Sequence, residues 1–148
     1  MKNIFLFFVL FTSIIASNKS FAQVNDWIAP ESANSLNNPF LNNQKATEVG
    51  KAIFNEMCVL CHGLYGKGNG EAGLTLEKKP ANFLSLEVAN ETDGAIFWKV
   101  TNGKAPMAGY SELLSDEQRW QLVNYIRELG KNGNENAVKK TPKKPNRR

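Results

Sequence analysis

The chain has 148 residues and a formal charge of +4, enough for one folded domain with tails. The charge is uneven: residues 131–148 carry seven basic groups against Glu135, while residues 23–130 carry nine basic and thirteen acidic groups and stand at −4. A mildly acidic domain lacks the basic stripe that nucleic acid requires, which excludes nucleic acid as the partner of the fold.

Residues 1–22 read as a secretory signal. Lys2 gives a positive start, Ile4 to Ile15 is nearly all apolar, and Ser20-Phe21-Ala22 is a small-x-small cleavage site. A membrane span needs about 20 apolar residues, and Lys19 ends this run too soon. The expectation is therefore export, with a periplasmic protein that is soluble after cleavage. Residues 23–44, rich in Asn and holding Pro30 and Pro39, predict an extended leader with little regular structure. Its apolar points, Trp27, Ile28, Phe40 and Leu41, would pin it to the domain. Residues 45–130 form that domain. Residues 131–148, basic and almost without apolar side chains, predict a disordered tail.

Inside the domain a helix is predicted from Lys45 to Cys61, started at Thr47-Glu48. Val49, Ile53, Met57 and Leu60 recur at helical spacing. Gly50 weakens helix propensity there by about 1 kcal/mol relative to Ala, and a close crossing by another helix accounts for it. Cys58-Val59-Leu60-Cys61-His62 follows, then glycines at 63, 66, 68, 70 and 73. The glycine run has neither the preceding strand nor the spacing of a phosphate-binding loop. It predicts a tight loop that lets backbone approach a flat group. Thr92-Asp93 caps a helix over Gly94 to Thr101, ended by Asn102-Gly103. Lys104 to Tyr110 is a constrained loop in which Pro106 and Gly109 bracket Met107. Ser115 and Gln118 form a capping box for the last helix, which Gly130 is expected to stop.

Cys-x-x-Cys-His is the attachment pattern of a covalently held haem. Two thiols three positions apart lie on one side of a helical turn, within reach of two vinyl groups, and His62 falls on the same side to meet the iron. His62 is the only histidine in the chain, so two histidine ligands from one monomer are excluded. Met1 leaves with the signal, and Met57 adjoins Cys58 on the helix that delivers His62. Met107 remains as the second axial ligand, with Lys104 or an open position as the alternatives. The other ring nitrogen of His62 needs an acceptor, and the carbonyl of Pro80 is the candidate. Phe54, Leu60, Trp98, Tyr110, Trp120 and Tyr125 are candidate apolar walls.

In order along the chain, Gly50 and Phe54, Cys58 to Gly63, Gly68-Asn69-Gly70, Pro80-Ala81-Asn82, Asp93-Gly94, Phe97-Trp98, Met107 and Trp120 to Ile126 resemble the class I, single-haem cytochromes c of the bacterial periplasmic type. The resemblance covers roughly Asn38 to Gly130. It implies a compact all-α fold whose first and last helices cross at Gly50. It implies thioethers at Cys58 and Cys61, with His62 proximal and Met107 distal. Where the family commonly has Pro after the axial Met, this chain has Ala108, with Pro106 before.

The function expected is one-electron transfer between a redox protein donor and a redox protein acceptor, without bond chemistry, as a free carrier or as a subunit of a respiratory complex. A haem enzyme or gas sensor would instead need a labile sixth ligand. A thiol–disulfide oxidoreductase would need a βαβ context around the two cysteines, and zinc would need a fourth ligand. The tail's charge suits an anionic membrane surface or an acidic partner.

Overall fold

A computed structural model describes residues 27–140; the predicted secretory signal and residues 141–148 lie outside the described residues. Among the described residues seven helices follow in order: α1 (Glu31–Asn34), α2 (Gln44–Met57), α3 (Val59–His62), α4 (Glu71–Thr75), α5 (Leu86–Asn90), α6 (Asp93–Asn102) and α7 (Asp116–Lys140). Among the described residues there is no strand, only an isolated bridge between Lys104 and Met107. The fold is all-α.

The frame is the crossing of α2 and α7. Asn43, rather than Thr47, caps α2, its side chain accepting from the Ala46 amide at 3.0 Å. Thr47 instead turns inward and donates to the Asn43 carbonyl. The buried face of α2 is Ala46, Thr47, Gly50, Ile53 and Phe54, while Val49 and Leu60 are exposed. The apolar stripe is thus rotated by one position from the Val49–Ile53–Met57 row. The crossing itself causes this: a Cβ on Gly50 would stand 1.9 Å from the Gln121 carbonyl oxygen. Gly50 must sit at the centre of the contact, and Ile53 and Phe54, one turn on, follow it inward. Phe54, Leu122 and Val123 are fully buried there. Phe54 packs tilted on Tyr125 at 5.2 Å and edge-on to Phe83 at 6.1 Å.

The termini of the later helices are set locally. Thr92 caps α6 through the Ala95 amide, and Gly103, at φ 65°, closes it. Ser115 and Gln118 make the reciprocal capping box of α7, at 2.9 and 3.2 Å. α7 does not stop at Gly130; its backbone stays helical to Lys140, so the tail does not begin as a disordered segment at residue 131. Gly130 serves close approach instead of a left-handed cap: a Cβ there would meet the Phe83 carbonyl oxygen at 3.0 Å, and one on Gly133 would meet Leu84 Cγ at 2.3 Å.

The leader is more ordered than its composition predicts. It contains α1, and Ala29 and Ala33 bury against Ala95 of α6. Gly94 makes this possible, since a Cβ there would lie 1.9 Å from the Ala33 carbonyl oxygen. Ile28 and Leu41 are exposed and do not pin the segment. Trp27 lies under Lys99, whose Nζ is 5.6 Å from the ring centroid. Asn38 is the main polar tie. Its amide donates to Asp93 Oδ2 at 2.8 Å and to Asn124 Oδ1 at 2.7 Å, and its Oδ1 accepts from the Phe40 amide at 2.9 Å. Arg127 Nε holds the other Asp93 oxygen at 2.7 Å and Nη1 the Val88 carbonyl at 2.9 Å, which adds α5 to the same network. Asn38→Ala would leave two part-buried acceptors without their donor. It is expected to lower stability by about 2 kcal/mol, read as a fall in the denaturant midpoint.

Candidate functional site

Cys58 continues the last turn of α2, its amide donating to the Phe54 carbonyl at 2.9 Å. The Cys58 carbonyl then accepts from the amides of Cys61 at 3.2 Å and His62 at 2.8 Å. That single turn sets Cys58 and His62 on one side of the backbone. Gly63, at φ 77°, ends it. The two cysteines form no disulfide.

The His62 ring is fixed from two directions. It is 8% exposed, and it stacks on Phe83 with centroids 4.5 Å apart and planes 16° apart. Nδ1 donates to the Ala81 carbonyl at 3.1 Å. This corrects the expectation for Pro80 by one residue. The Pro80 carbonyl lies against Gly68, where a Cβ would come within 2.3 Å of it, and the next carbonyl meets the ring. Burial lowers the His62 pKa, with the Ala81 hydrogen bond acting against it. A neutral ring with its proton on Nδ1 leaves the Nε2 lone pair as the one able to bind a metal.

Burial, and secondarily Cys61, pushes the Cys58 thiol up to about 12. A redox-active Cys-x-x-Cys needs the opposite shift, and no βαβ unit surrounds it among the described residues. The glycine loop is equally decided. Gly66, Gly68 and Gly70 amides turn inward to the carbonyls of Gly63, His62 and Cys61 at 2.9, 2.8 and 3.1 Å. They are spent on the Cys58–Gly63 turn and leave no cradle for a phosphate. Gly70 and Gly73 let α4 lie on that turn, where a Cβ would stand 2.4 Å from the Leu60 oxygen and 2.2 Å from the Cys61 oxygen.

Met107 is half-buried in its loop, and backbone bonds between Lys104 and Met107, at 3.0 and 2.9 Å, close the turn. The loop returns at Tyr110, whose hydroxyl donates to the Met57 carbonyl at 3.3 Å. Burial first, then the nearby Cys58 and Cys61, raises the Tyr110 pKa, so the loop's end lies at the cysteine turn. Trp98 packs on the Ala29–Ala33–Ala95 cluster beside the leader. Leu60 is 64% exposed. Three contributors escaped the sequence reading: Ala81, because any residue offers a carbonyl; Phe83, whose partner is not in its own element; and Arg119, whose acceptors are main-chain carbonyls of the preceding turn.

Two unbridged cysteines on the turn that ends in a buried imidazole, oriented through Nδ1, are a donor set that fits a covalently attached porphyrin iron. An all-α frame closing on one such turn defines the class as a monohaem c-type cytochrome. A family model described as "Cytochrome C oxidase, cbb3-type, subunit III" matches residues 45–126, and the chain belongs to that family. Cytochrome c6 of Leptolyngbya boryana is 33% identical over 85 residues, 57% of this chain and 94% of that protein. Cytochrome c6 of Rippkaea orientalis is 33% identical over 78 residues, 53% of this chain and 66% of that one. Cytochrome c550 of Pseudomonas aeruginosa is 26% identical over 98 residues, 63% of this chain and 62% of that one. The chain thus spans less than two thirds of the Rippkaea and Pseudomonas proteins. Among solved structures, a chain of the Kuenenia stuttgartiensis reducing HAO-like protein complex superposes with a TM-score of 0.51 at 26% identity. The match covers 58% of this chain and 44% of that one.

Proposed function

We propose that this protein is a one-electron carrier holding one haem c through thioethers at Cys58 and Cys61, with His62 and Met107 as axial ligands. The supporting observation is the His62 ring, buried, stacked on Phe83 and held at Nδ1 by the Ala81 carbonyl, with Nε2 left as the donor. When bound, the haem supplies an Fe(III)/Fe(II) couple. The residues of this chain do the rest. Ala81 fixes the tautomer of His62 and makes its ring more basic. The neutral, soft thioether of Met107 favours the reduced state and raises the potential. Phe54, Trp120 and Tyr125 exclude water, and the α2–α7 crossing keeps the ligand-bearing segments in place between redox states.

Donor and acceptor are redox proteins met through small, short-lived interfaces. The protein works in the periplasm, soluble after removal of the signal, as a free carrier or a subunit of a respiratory complex. The basic tail meets an anionic membrane surface or an acidic partner. No helix among the described residues is long and apolar enough to cross a membrane.

The test is an absorption spectrum of the matured protein. A low-spin spectrum with the far-red sulfur-to-iron charge-transfer band in the oxidised form is expected. Met107→Ala should abolish that band and lower the potential by more than about 60 mV, one tenfold step for one electron, with the thioethers intact. A high-spin wild-type spectrum would overturn the reading.

A further inference from the structure

The loop that carries Met107 runs into a tight turn, residues 110–114, where the amides of Leu113 and Leu114 donate to the Tyr110 carbonyl at 3.2 and 2.9 Å. One edge of this segment is sewn to the end of α6: the amides of Tyr110 and Ser111 donate to Val100 and Thr101 carbonyls at 3.0 and 3.3 Å. The other edge is held by Arg119 of α7. Its Nη1 donates to the carbonyls of Tyr110 at 3.5 Å, Ser111 at 3.3 Å and Leu114, and its Nη2 pairs with Asp116. The guanidinium carbon lies 5.3 Å from the Phe97 ring centroid, and Phe97 is itself stacked on Trp120 at 4.1 Å.

We propose that Arg119 is a positioning residue for Met107: its guanidinium collars the turn that anchors the C-terminal end of the Met107 loop and keeps the loop closed. The inference rests on Met107 being an iron ligand. Arg119 is only 5% exposed, yet its carboxylate partner Asp116 has a side chain that is 83% exposed. Its Nε is buried without a hydrogen-bond partner. A buried, weakly neutralised charge is a costly way to stabilise a fold, and an apolar side chain of similar volume does as well or better. What the guanidinium supplies is shape. Nη1 gathers the three carbonyls while Nη2 holds Asp116 and the guanidinium lies over Phe97. A lysine ammonium, a single nitrogen without a planar fork, cannot make all these contacts at once. Tyr110, three residues after Met107, is the first residue it grips, so loosening the grip frees the loop at its hinge.

The experiment is a titration of the oxidised, haem-loaded protein with imidazole, which competes with the methionine sulfur for iron only when the loop opens. The bleaching of the charge-transfer band is the readout. Arg119→Gln and Arg119→Lys should both bind imidazole about tenfold more tightly than wild type. Asp116→Asn, at an exposed carboxylate, should give a smaller rise of about two- to threefold. Asn38→Ala, destabilising but on the far network, should leave the affinity near wild type. Wild-type affinity in folded Arg119→Lys, no rise in Asp116→Asn, or an equal rise in Asn38→Ala would each overturn the collar. A wild-type protein with no charge-transfer band would instead sink the ligand assignment itself, and the collar with it.

Discussion

Gly50→Ala is expected to cost the haem-loaded protein about 3 kcal/mol or more, at the upper end of overpacking substitutions. The new Cβ would stand 1.9 Å from the Gln121 carbonyl oxygen, 2.5 Å from its carbon and 3.0 Å from the Leu122 nitrogen. All three are backbone atoms of α7, so no side chain can swing aside. The two helices must separate by about 1.5 Å before the first contact becomes ordinary, since ordinary contact begins at 3.4 Å. Phe54, Leu122 and Val123, which fill the crossing, lose their close packing in the same movement. The gain in helix propensity from Ala, about 1 kcal/mol, is too small to offset this. Denaturant unfolding should show a lower midpoint at an unchanged slope. A midpoint within about 1 kcal/mol of wild type would mean that α2 and α7 slide freely, and the crossing could not then be the rigid frame described.

How far the sequence could be read depended on where each signal lay. The cysteine turn, the capping box at Ser115 and the Thr92 cap carry their cause within a few residues, and Gly50 shows itself by breaking the propensity of its own helix although its partner is Gln121; the structure has all four where the spacing put them. Apart from the start of α2, where Asn43 displaces Thr47 as the cap, the errors share one origin: a partner distant in sequence. Gly130 has the composition of a helix stop, but Phe83 and Leu84 claim it and Gly133 as flat surfaces, and the helix continues. The leader looks unstructured because its anchors are two alanines and an asparagine, residue types with no periodic signature. The partner of His62 was placed one residue early because a carbonyl has no residue identity to read.

Glycine is the common device. At Gly50, Gly94 and Gly130 its missing side chain brings backbones together, and at Gly63, Gly66 and Gly68 its positive φ turns the chain back on the cysteine turn. The same residue type therefore builds both the frame and the wall behind His62. These two uses are separable by experiment at Gly50 and Gly68, because of the two only Gly68 touches the segment 80–83 that holds the His62 ring.

Gly68→Ala makes that separation. Gly68 has a φ of 73°, where an alanine costs roughly 1–2 kcal/mol. Its Cβ would also lie 2.3 Å from the Pro80 oxygen and 3.3 Å from the Ala81 oxygen. The neighbouring strands of chain leave little slack: the Gly68 amide donates to the His62 carbonyl at 2.8 Å, and the Phe83 amide to the Gly66 carbonyl at 2.7 Å. Pushing Pro80 outward therefore draws the Ala81 carbonyl away from His62 Nδ1. A total loss of about 3 kcal/mol is expected, strain and clash together. The reduction potential should move as well, and its sign follows from the hydrogen bond. Donation from Nδ1 makes the imidazole a stronger base, which favours ferric iron and holds the potential down. Weakening that bond raises the potential, by roughly 60 mV if ferric over ferrous preference falls tenfold. Gly50→Ala should lose stability with no such rise, because Gln121 and Leu122 do not touch the ring. A Gly68→Ala protein that is destabilised but keeps the wild-type potential would show that Ala81 grips His62 without help from the glycine loop.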